Sequence, residues 1–225
     1  MTPERSRCLN ELARLMLRVE CPHPVRVAID GPDAAGKTIL ADELAGVLER
    51  SGRPVVRASV DGFHRPVAER YARGHESPEG YYRDSFDYPA LRTVLLDPLG
   101  PGGDRRYLRH VFDFRTDEAV VAPVEEASAN AILVFDGIFL LRRELIDMWD
   151  FSVFVAASFA ETQRRAEVRD LPLLGDAETI RHRYATRYVP GQRIYFAETR
   201  PQAKADAVVD NEDPDRPSLR LGERA

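Results

Sequence analysis

The sequence predicts a single α/β domain built on a mostly parallel sheet, and three observations carry that expectation. VRVAID (25–30), GPDAAGKT (31–38), an apolar-periodic stretch to about residue 50 and VVRASV (55–60) read as strand, glycine loop, helix and strand. That order is a βαβ unit, whose two strands run parallel. AILVFDG (131–137) and FSVFVAA (151–157) are continuous apolar runs, as in strands covered on both faces. The chain of 225 residues is 44% hydrophobic, enough for one sizeable core.

The elements follow in order. Leu9, Leu12, Met16 and Val19 recur at helical spacing, so a leading helix is expected within residues 1–22, ended by Pro22 and Pro24. Val25, Val27 and Ile29 alternate as a strand does. Leu40, Leu44, Val47 and Leu48 share one face of the helix after the glycine loop, and Gly52 and Pro54 break it. Residues 63–88, rich in Tyr, Arg, His and Gly, suit a substrate-facing segment. A short helix is expected over about 88–97, stopping at DPLGPGGD (97–104). Residues 105–124 have β character on both sides of a polar turn at Thr116–Glu118, which predicts a hairpin. Helices are expected over about 159–170 and 176–188. Pro172 and Gly175 interrupt them, so residues 160–188 read as a hinged lid. ADAVVDN (205–211) suits a last strand, and 213–225 reads as a polar tail.

Composition narrows the partners. Charged residues make up 31% of the chain and the net charge is −5, so no basic footprint for a nucleic-acid polymer is present. Cys8 and Cys21 form neither a disulfide framework nor a zinc spacing, and are expected as reduced thiols. No apolar run reaches the length of a membrane span, and MTPERSRCLN has no apolar signal core. A cytoplasmic protein with a small-molecule partner is expected, with a homo-oligomer left open.

GPDAAGKT places Gly31, Gly36, Lys37 and Thr38 in the pattern G-x-x-x-x-G-K-[ST]. Such a loop turns sharply and aims backbone N–H groups at phosphate oxygens, and the following helix adds the positive end of its dipole. The expected nucleotide contacts are Gly31, Pro32, Asp33, Ala34, Ala35, Gly36, Lys37, Thr38 and Ile39. Only two of the 32 basic residues are lysines, Lys37 and Lys204. A lysine kept against that bias suits a slot where a compact ammonium fits between phosphates and a guanidinium does not. Thr38 offers a hydroxyl to Mg²⁺, and Asp136, at the end of a buried strand, offers a carboxylate to the same ion. ATP and Mg²⁺ are therefore the expected cofactors.

Among phosphate-loop proteins, a guanine-nucleotide switch is excluded because no N-K-x-D motif exists, and no L-S-G-G-Q of a transport ATPase appears. A metabolite kinase needs a carboxylate near the acceptor hydroxyl and arginines to shield charge. Asp61 ends the second strand on the phosphate-loop edge and suits the first role. Arg165 and Arg169 share one face of the lid helix and suit the second. His64 and Arg83 are further candidates for acceptor contact. Phe112 and Phe114 alternate onto one face of the hairpin, where they either stack on an acceptor or fill core.

The ordered set GPDAAGKT, VDGFH (60–64), SFDYPAL (85–91), VFDFRTDEA (111–119), ILVFDGIFLL (132–141) and RRAEVRD (164–170) resembles the uridine kinase family, within the uridine kinase, phosphoribulokinase and pantothenate kinase group. The resemblance runs from about residue 25 to 211. It implies a P-loop three-layer sandwich with a five-stranded parallel sheet, a hairpin forming part of a nucleoside pocket, and an ATP-dependent transfer to the 5′-hydroxyl of uridine or cytidine. It implies Asp61 as the catalytic carboxylate, Asp87 as the holder of ribose hydroxyls, and Arg165 and Arg169 in the lid cluster. Asp136 stands where the family carries Glu. Phe112 and Asp117 stand where its hairpin carries Tyr and His. Pantothenate, nicotinamide riboside or a sugar is the rival acceptor, and a regulatory NTP-binding protein the rival class.

Overall fold

The computed structural model describes residues 1–222. Helix α1 (Pro3–Leu17) starts with Thr2, whose hydroxyl caps the Arg5 N–H at 3.2 Å, and Pro3 occupies a first-turn position where its missing N–H costs nothing. Strands β1 (Val25–Asp30), β2 (Val55–Ser59), β3 (Ile132–Asp136), β4 (Phe151–Ala156), β5 (Ala207–Asp210) and β6 (Ser218–Leu221) form one sheet. Its order is β6-β5-β4-β1-β3-β2. The five strands β1 to β5 pair in parallel and β6 pairs antiparallel with β5, Ser218 opposite Asp210 and Leu221 opposite Ala207.

The sheet thus has one strand more than expected. Residues 218–221 lie in the segment read as a polar tail; residues 223–225 of that tail lie outside the described residues. An edge strand needs only one covered face, so the short alternation in SLRL suffices. Leu219 packs on the core while Leu221 stays exposed.

Side chains alternate across the sheet and divide the core in two. On one face Val27, Ile29, Ile132, Val134 and Val153 pack against α1 and α2 (Lys37–Arg50), through Leu9, Leu12, Met16, Leu40, Leu44 and Leu48. On the other face Leu133, Phe135, Phe154 and Val208 meet Leu91, Leu95, Phe139 and Tyr195. β1 and β3 are buried along their whole length; β3 is a nearly unbroken apolar run, whereas β1 buries Arg26 against Asp150 and Asp30 against Gly31 N. β2 is the edge and alternates.

The hairpin consists of two short ladders, Phe112–Asp113 with Glu118–Ala119 and Arg106–Tyr107 with Glu125–Glu126. Helix α3 (Pro78–Asp84) lies in the Tyr- and Arg-rich segment. The lid region holds α4 (Phe159–Arg169) and α5 (Ala177–Arg183), with Gly175 at φ 85° between them. A wide turn, Tyr184–Tyr188, leads into a further helix, α6 (Val189–Thr199). Pro190 and Gly191 argue against a helix there in sequence. The structure places Pro190 in the first turn of α6, where it is tolerated. Among the described residues no helix is long and apolar enough to cross a membrane.

Candidate functional site

The loop 31–36 sits at the C-terminal edge of the sheet, between β1 and α2. Two of its glycines are required by geometry. A Cβ on Gly31 would collide with the carbonyl oxygen of Val155. Gly36 has φ 94°, and a Cβ there would sit 2.7 Å from the Asn211 side-chain nitrogen. Gly36 precedes α2 without any side-chain cap, so the first N–H groups of that helix have no internal acceptor. Lys37 is buried and donates to the carbonyl of Pro32 at 2.7 Å, closing the loop on itself. The loop is held from behind by a polar clasp: Asn211 Nδ2 donates to Ala35 O at 2.7 Å. Arg165 donates to Ala35 O at 3.3 Å and to Asn211 O at 2.8 Å, while Glu161 orients its guanidinium.

Thr38 Oγ1 donates to Asp136 Oδ2 at 2.6 Å, and Arg57 Nη2 lies 2.8 Å from Asp136 Oδ1. A hydroxyl and a buried carboxylate side by side next to the loop form an oxygen-only donor pair that fits Mg²⁺. Both residues line a cleft of about 670 Å³ together with Asp61, Phe112, Phe114 and Arg115. A second cleft of about 680 Å³ lies between residues 71–76 and α5, lined by Tyr71, His75 and Arg187. It holds neither loop residue nor candidate carboxylate.

Asp61 faces solvent through the cleft mouth and is otherwise crowded by protein. That desolvation raises its carboxyl above the usual carboxylate range; His64 opposes the shift, and the charges of Asp136 and Asp33 add to it. His64 holds the turn after Asp61: its Nδ1–H donates to the Asp61 carbonyl at 3.0 Å, and its ring contacts Phe86 at 4.6 Å and Phe114 at 4.8 Å. Burial lowers the His64 imidazole, so the neutral ring predominates. Asp87 is joined to the same turn, since its N–H donates to Phe63 O at 2.8 Å while its Oδ1 caps Ala90 N at 2.9 Å.

Other candidates are placed differently. Arg83 pairs on the surface with Glu198 at 2.5 Å and is not among the cleft residues. Arg169 chelates the neighbouring Asp170 and reaches the Tyr184 hydroxyl at 3.4 Å. Ile39 is 61% exposed on the first turn of α2. Asp117, at the hairpin tip with φ 59°, accepts from Val67 N at 2.8 Å and from Arg70 at 3.1 Å. Its carboxylate caps the 67–70 turn, and it is not among the residues lining the cleft.

Several polar residues around the loop escaped the sequence reading. Asp30 is fully buried at the end of β1. Its oxygens accept from Gly31 N at 2.7 Å, from Leu141 N at 3.2 Å and from the Tyr195 hydroxyl. Burial raises it to about 6 in spite of these donors. Asp33, expected as one of the loop's nucleotide contacts, bonds the hydroxyl of Tyr81 and the amide of Gln192. The only signal for Asp30 in the sequence was an acid closing an apolar strand. Gln192, Tyr195 and Asn211 carry no local signal at all. Cys21, His23 and Asp150 also cluster, but both Asp150 oxygens are taken by Arg26 at 3.1 Å, a cation where a metal would have to sit.

The parallel sheet, its flanking helices and the glycine loop after β1 form an α/β fold that several solved kinases share. Among solved structures, the chain is similar to a possible uridine kinase from Bacillus stearothermophilus, with a TM-score of 0.72 and 22% identity over 90% of this chain and 97% of that one. It is similar to a candidate fructose transport system kinase from Silicibacter sp. TM1040, with a TM-score of 0.71 and 23% identity over 85% and 95%. A D-glycerate 3-kinase from Cryptococcus neoformans var. grubii serotype A matches at 0.60 and 15% identity over 90% and 94%. No family model matches the sequence, and no curated protein matches it.

Proposed function

We propose that this protein is a kinase that moves the γ-phosphoryl group of ATP onto a hydroxyl of a small metabolite, with the 5′-hydroxyl of uridine or cytidine as the first acceptor to test. The observation that carries the reading is one cleft. It joins Asp61, the Thr38–Asp136 oxygen pair and a hairpin face bearing Phe112 and Phe114, beside the loop that presents Lys37.

In this reading the N–H groups opening α2 and the Lys37 ammonium bind the phosphates, Lys37 exchanging its bond to Pro32 O for phosphate oxygen. Thr38 and Asp136 would hold Mg²⁺, which would supply charge neutralisation for the phosphates. Asp61 takes the acceptor hydroxyl proton as that oxygen bonds to phosphorus. The bond from phosphorus to the β–γ bridging oxygen breaks, and ADP leaves. The raised Asp61 carboxyl makes it a stronger base than an ordinary aspartate. Arg165, hydrogen-bonded to the loop at Ala35, acts by holding the loop's shape. Arg169 is the lid cation free to approach the nucleotide by leaving Asp170.

His64 and Phe114 offer an aromatic wall to the acceptor, and Asp87 keeps its Oδ2 free of protein donors among the described residues, available for hydroxyls. A sugar acceptor is the second reading, and one observation favours it: Asp117, in the hairpin position of the family His, accepts from Val67 N and Arg70 through Oδ1 and does not line the cleft. A panel of uridine, cytidine, fructose, pantothenate and D-glycerate, scored by ADP release with Mg²⁺–ATP, decides. Turnover of uridine or cytidine that disappears in Lys37→Met supports the reading. Absence of Mg²⁺–nucleotide binding by calorimetry overturns it.

A further inference from the structure

The guanidinium of Arg57 reaches the Thr38–Asp136 oxygen pair from the neighbouring strand. Arg57 lies on the edge strand β2 opposite Val134 of β3, and Asp136 follows two positions on, where side chains share a face. Helix α2 places Thr38 and Asp42, one turn apart, over that face. Arg57 Nε donates to Asp42 Oδ1 at 2.8 Å, and Nη1 donates to Val134 O at 3.3 Å. These bonds hold Nη2 2.8 Å from Asp136 Oδ1. Thr38, Asp42, Arg57 and Asp136 all line the cleft that contains Asp61.

The two oxygens of Asp136 are served unequally. Oδ2 accepts from Thr38 Oγ1 at 2.6 Å. Oδ1 is buried and accepts no hydrogen bond among the described residues. Arg57 Nη2 stands close to it but off the line of its N–H bonds, so it balances charge without donating. The Asp136 side chain is only 3% exposed, and a carboxylate so buried needs a cation beside it.

Charge also decides how such a pair treats a divalent cation. Thr38 and Asp136 together offer one negative charge, and the Arg57 cation cancels it. Oxygen sites for hard cations are tuned by the charge of their ligands as well as by geometry. The phosphates of a nucleotide bring the negative charge that this pair lacks.

We propose that Arg57 makes metal binding conditional on nucleotide: it neutralises Asp136, so that Thr38 and Asp136 hold a divalent cation only weakly by themselves and take it firmly only together with the phosphates. This rests on the kinase reading above and deepens it by setting the order in which the site assembles. Arg57 acts through Asp136, and Asp42 positions Arg57 for that contact.

The test reads Mn²⁺ binding to the intact protein by electron paramagnetic resonance, without nucleotide and with AMP-PNP, in the wild type, Arg57→Gln and Arg57→Lys. Mn²⁺ takes the same oxygen ligands as Mg²⁺. Without nucleotide, Arg57→Gln should bind Mn²⁺ about 10- to 100-fold more tightly than the wild type, because a unit charge beside the ligand is gone. Arg57→Lys keeps the charge and should stay near the wild type. With AMP-PNP the difference between wild type and Arg57→Gln should shrink, and adding Asp136→Asn to Arg57→Gln should abolish the gain. Arg57→Met, which keeps an apolar stem on the edge strand, repeats the measurement if the Gln variant does not fold. Equal Mn²⁺ affinity in the wild type and the uncharged variant overturns the proposal. So does a wild type that binds Mn²⁺ as tightly without AMP-PNP as with it. A gain that survives Asp136→Asn also overturns it, because the ligand would then be Asp42, released by the loss of Arg57. Failure of the wild-type protein to bind AMP-PNP sinks the kinase reading itself and is distinct from these.

Discussion

Replacing Tyr195 by Phe removes one hydroxyl from the buried junction behind the phosphate loop, and its cost should depend on pH. Asp30 is fully buried, and burial lifts it from 3.8 to about 6 although Tyr195, Gly31 and Leu141 donate to it. The ring of Tyr195 remains in contact with Phe139 at 5.1 Å and Tyr82 at 5.7 Å, so Phe preserves the packing. What is lost is the donor to Asp30 Oδ2 and an acceptor for Leu141 N, 3.0 Å from the phenol oxygen. Above the folded Asp30 value the carboxylate is charged, and losing a donor to it costs about 1.5–3 kcal/mol. Well below that value the carboxyl is neutral and the same loss costs about 0.5–1.5 kcal/mol. An acid raised on folding binds a proton more tightly in the native state, so native stability falls as pH rises from about 4 to about 6. Tyr195→Phe raises Asp30 further and extends that fall to higher pH. Urea unfolding of both proteins at pH 5 and pH 8, followed by the fluorescence of the single tryptophan, measures the difference. A loss of stability equal at the two pH values would refute the reasoning, because a group that does not ionise in this range cannot couple to its donor in this way.

Other consequences are checked more briefly. Asp61→Asn should lower kcat by about 100- to 10,000-fold while leaving Mg²⁺–nucleotide affinity intact, measured by ADP release and calorimetry. Because desolvation raises Asp61, the acid limb of the wild-type kcat/KM profile should lie above the ordinary carboxylate range near 4, with activity lost as pH falls through it. Asn211→Ala leaves Ala35 O with Arg165 as its remaining side-chain donor; a cost of about 1–3 kcal/mol and weaker nucleotide binding are expected in thermal unfolding with and without Mg²⁺–ATP. Gly36→Ala should be worse, since it combines a positive φ with a Cβ 2.7 Å from Asn211, and the rescue variant Gly36→Ala with Asn211→Gly should recover part of the lost stability. Asp117→Ala should loosen the 67–70 turn by about 1 kcal/mol or less and leave the ranking of acceptors unchanged; a changed ranking would mean the carboxylate reaches the acceptor.

Sequence alone determined the strand–loop–helix–strand order around GPDAAGKT and the burial of residues 131–137 and 151–157, because those signals are local. A glycine at a left-handed φ, an apolar run and a 3.6-residue period each report on their own few neighbours. The same locality picked out Lys37, Thr38 and Asp136, which open a helix or end a strand, and Asp61, which was expected to end β2 and lies two residues beyond it in the turn Val60–Phe63. What only the tertiary structure decided is the pairing between distant segments. Asn211 lies 176 positions from Ala35, and Tyr195 lies 165 from Asp30; such hydrogen bonds have no periodicity to announce them. Arg83 shows the reverse case: a candidate for acceptor contact in the sequence, it is paired by the fold with Glu198. The sixth strand and α6 were illegible for a related reason: an edge strand and a helix opened by Pro190–Gly191 draw their stability from the sheet and core they dock on, not from their own residues.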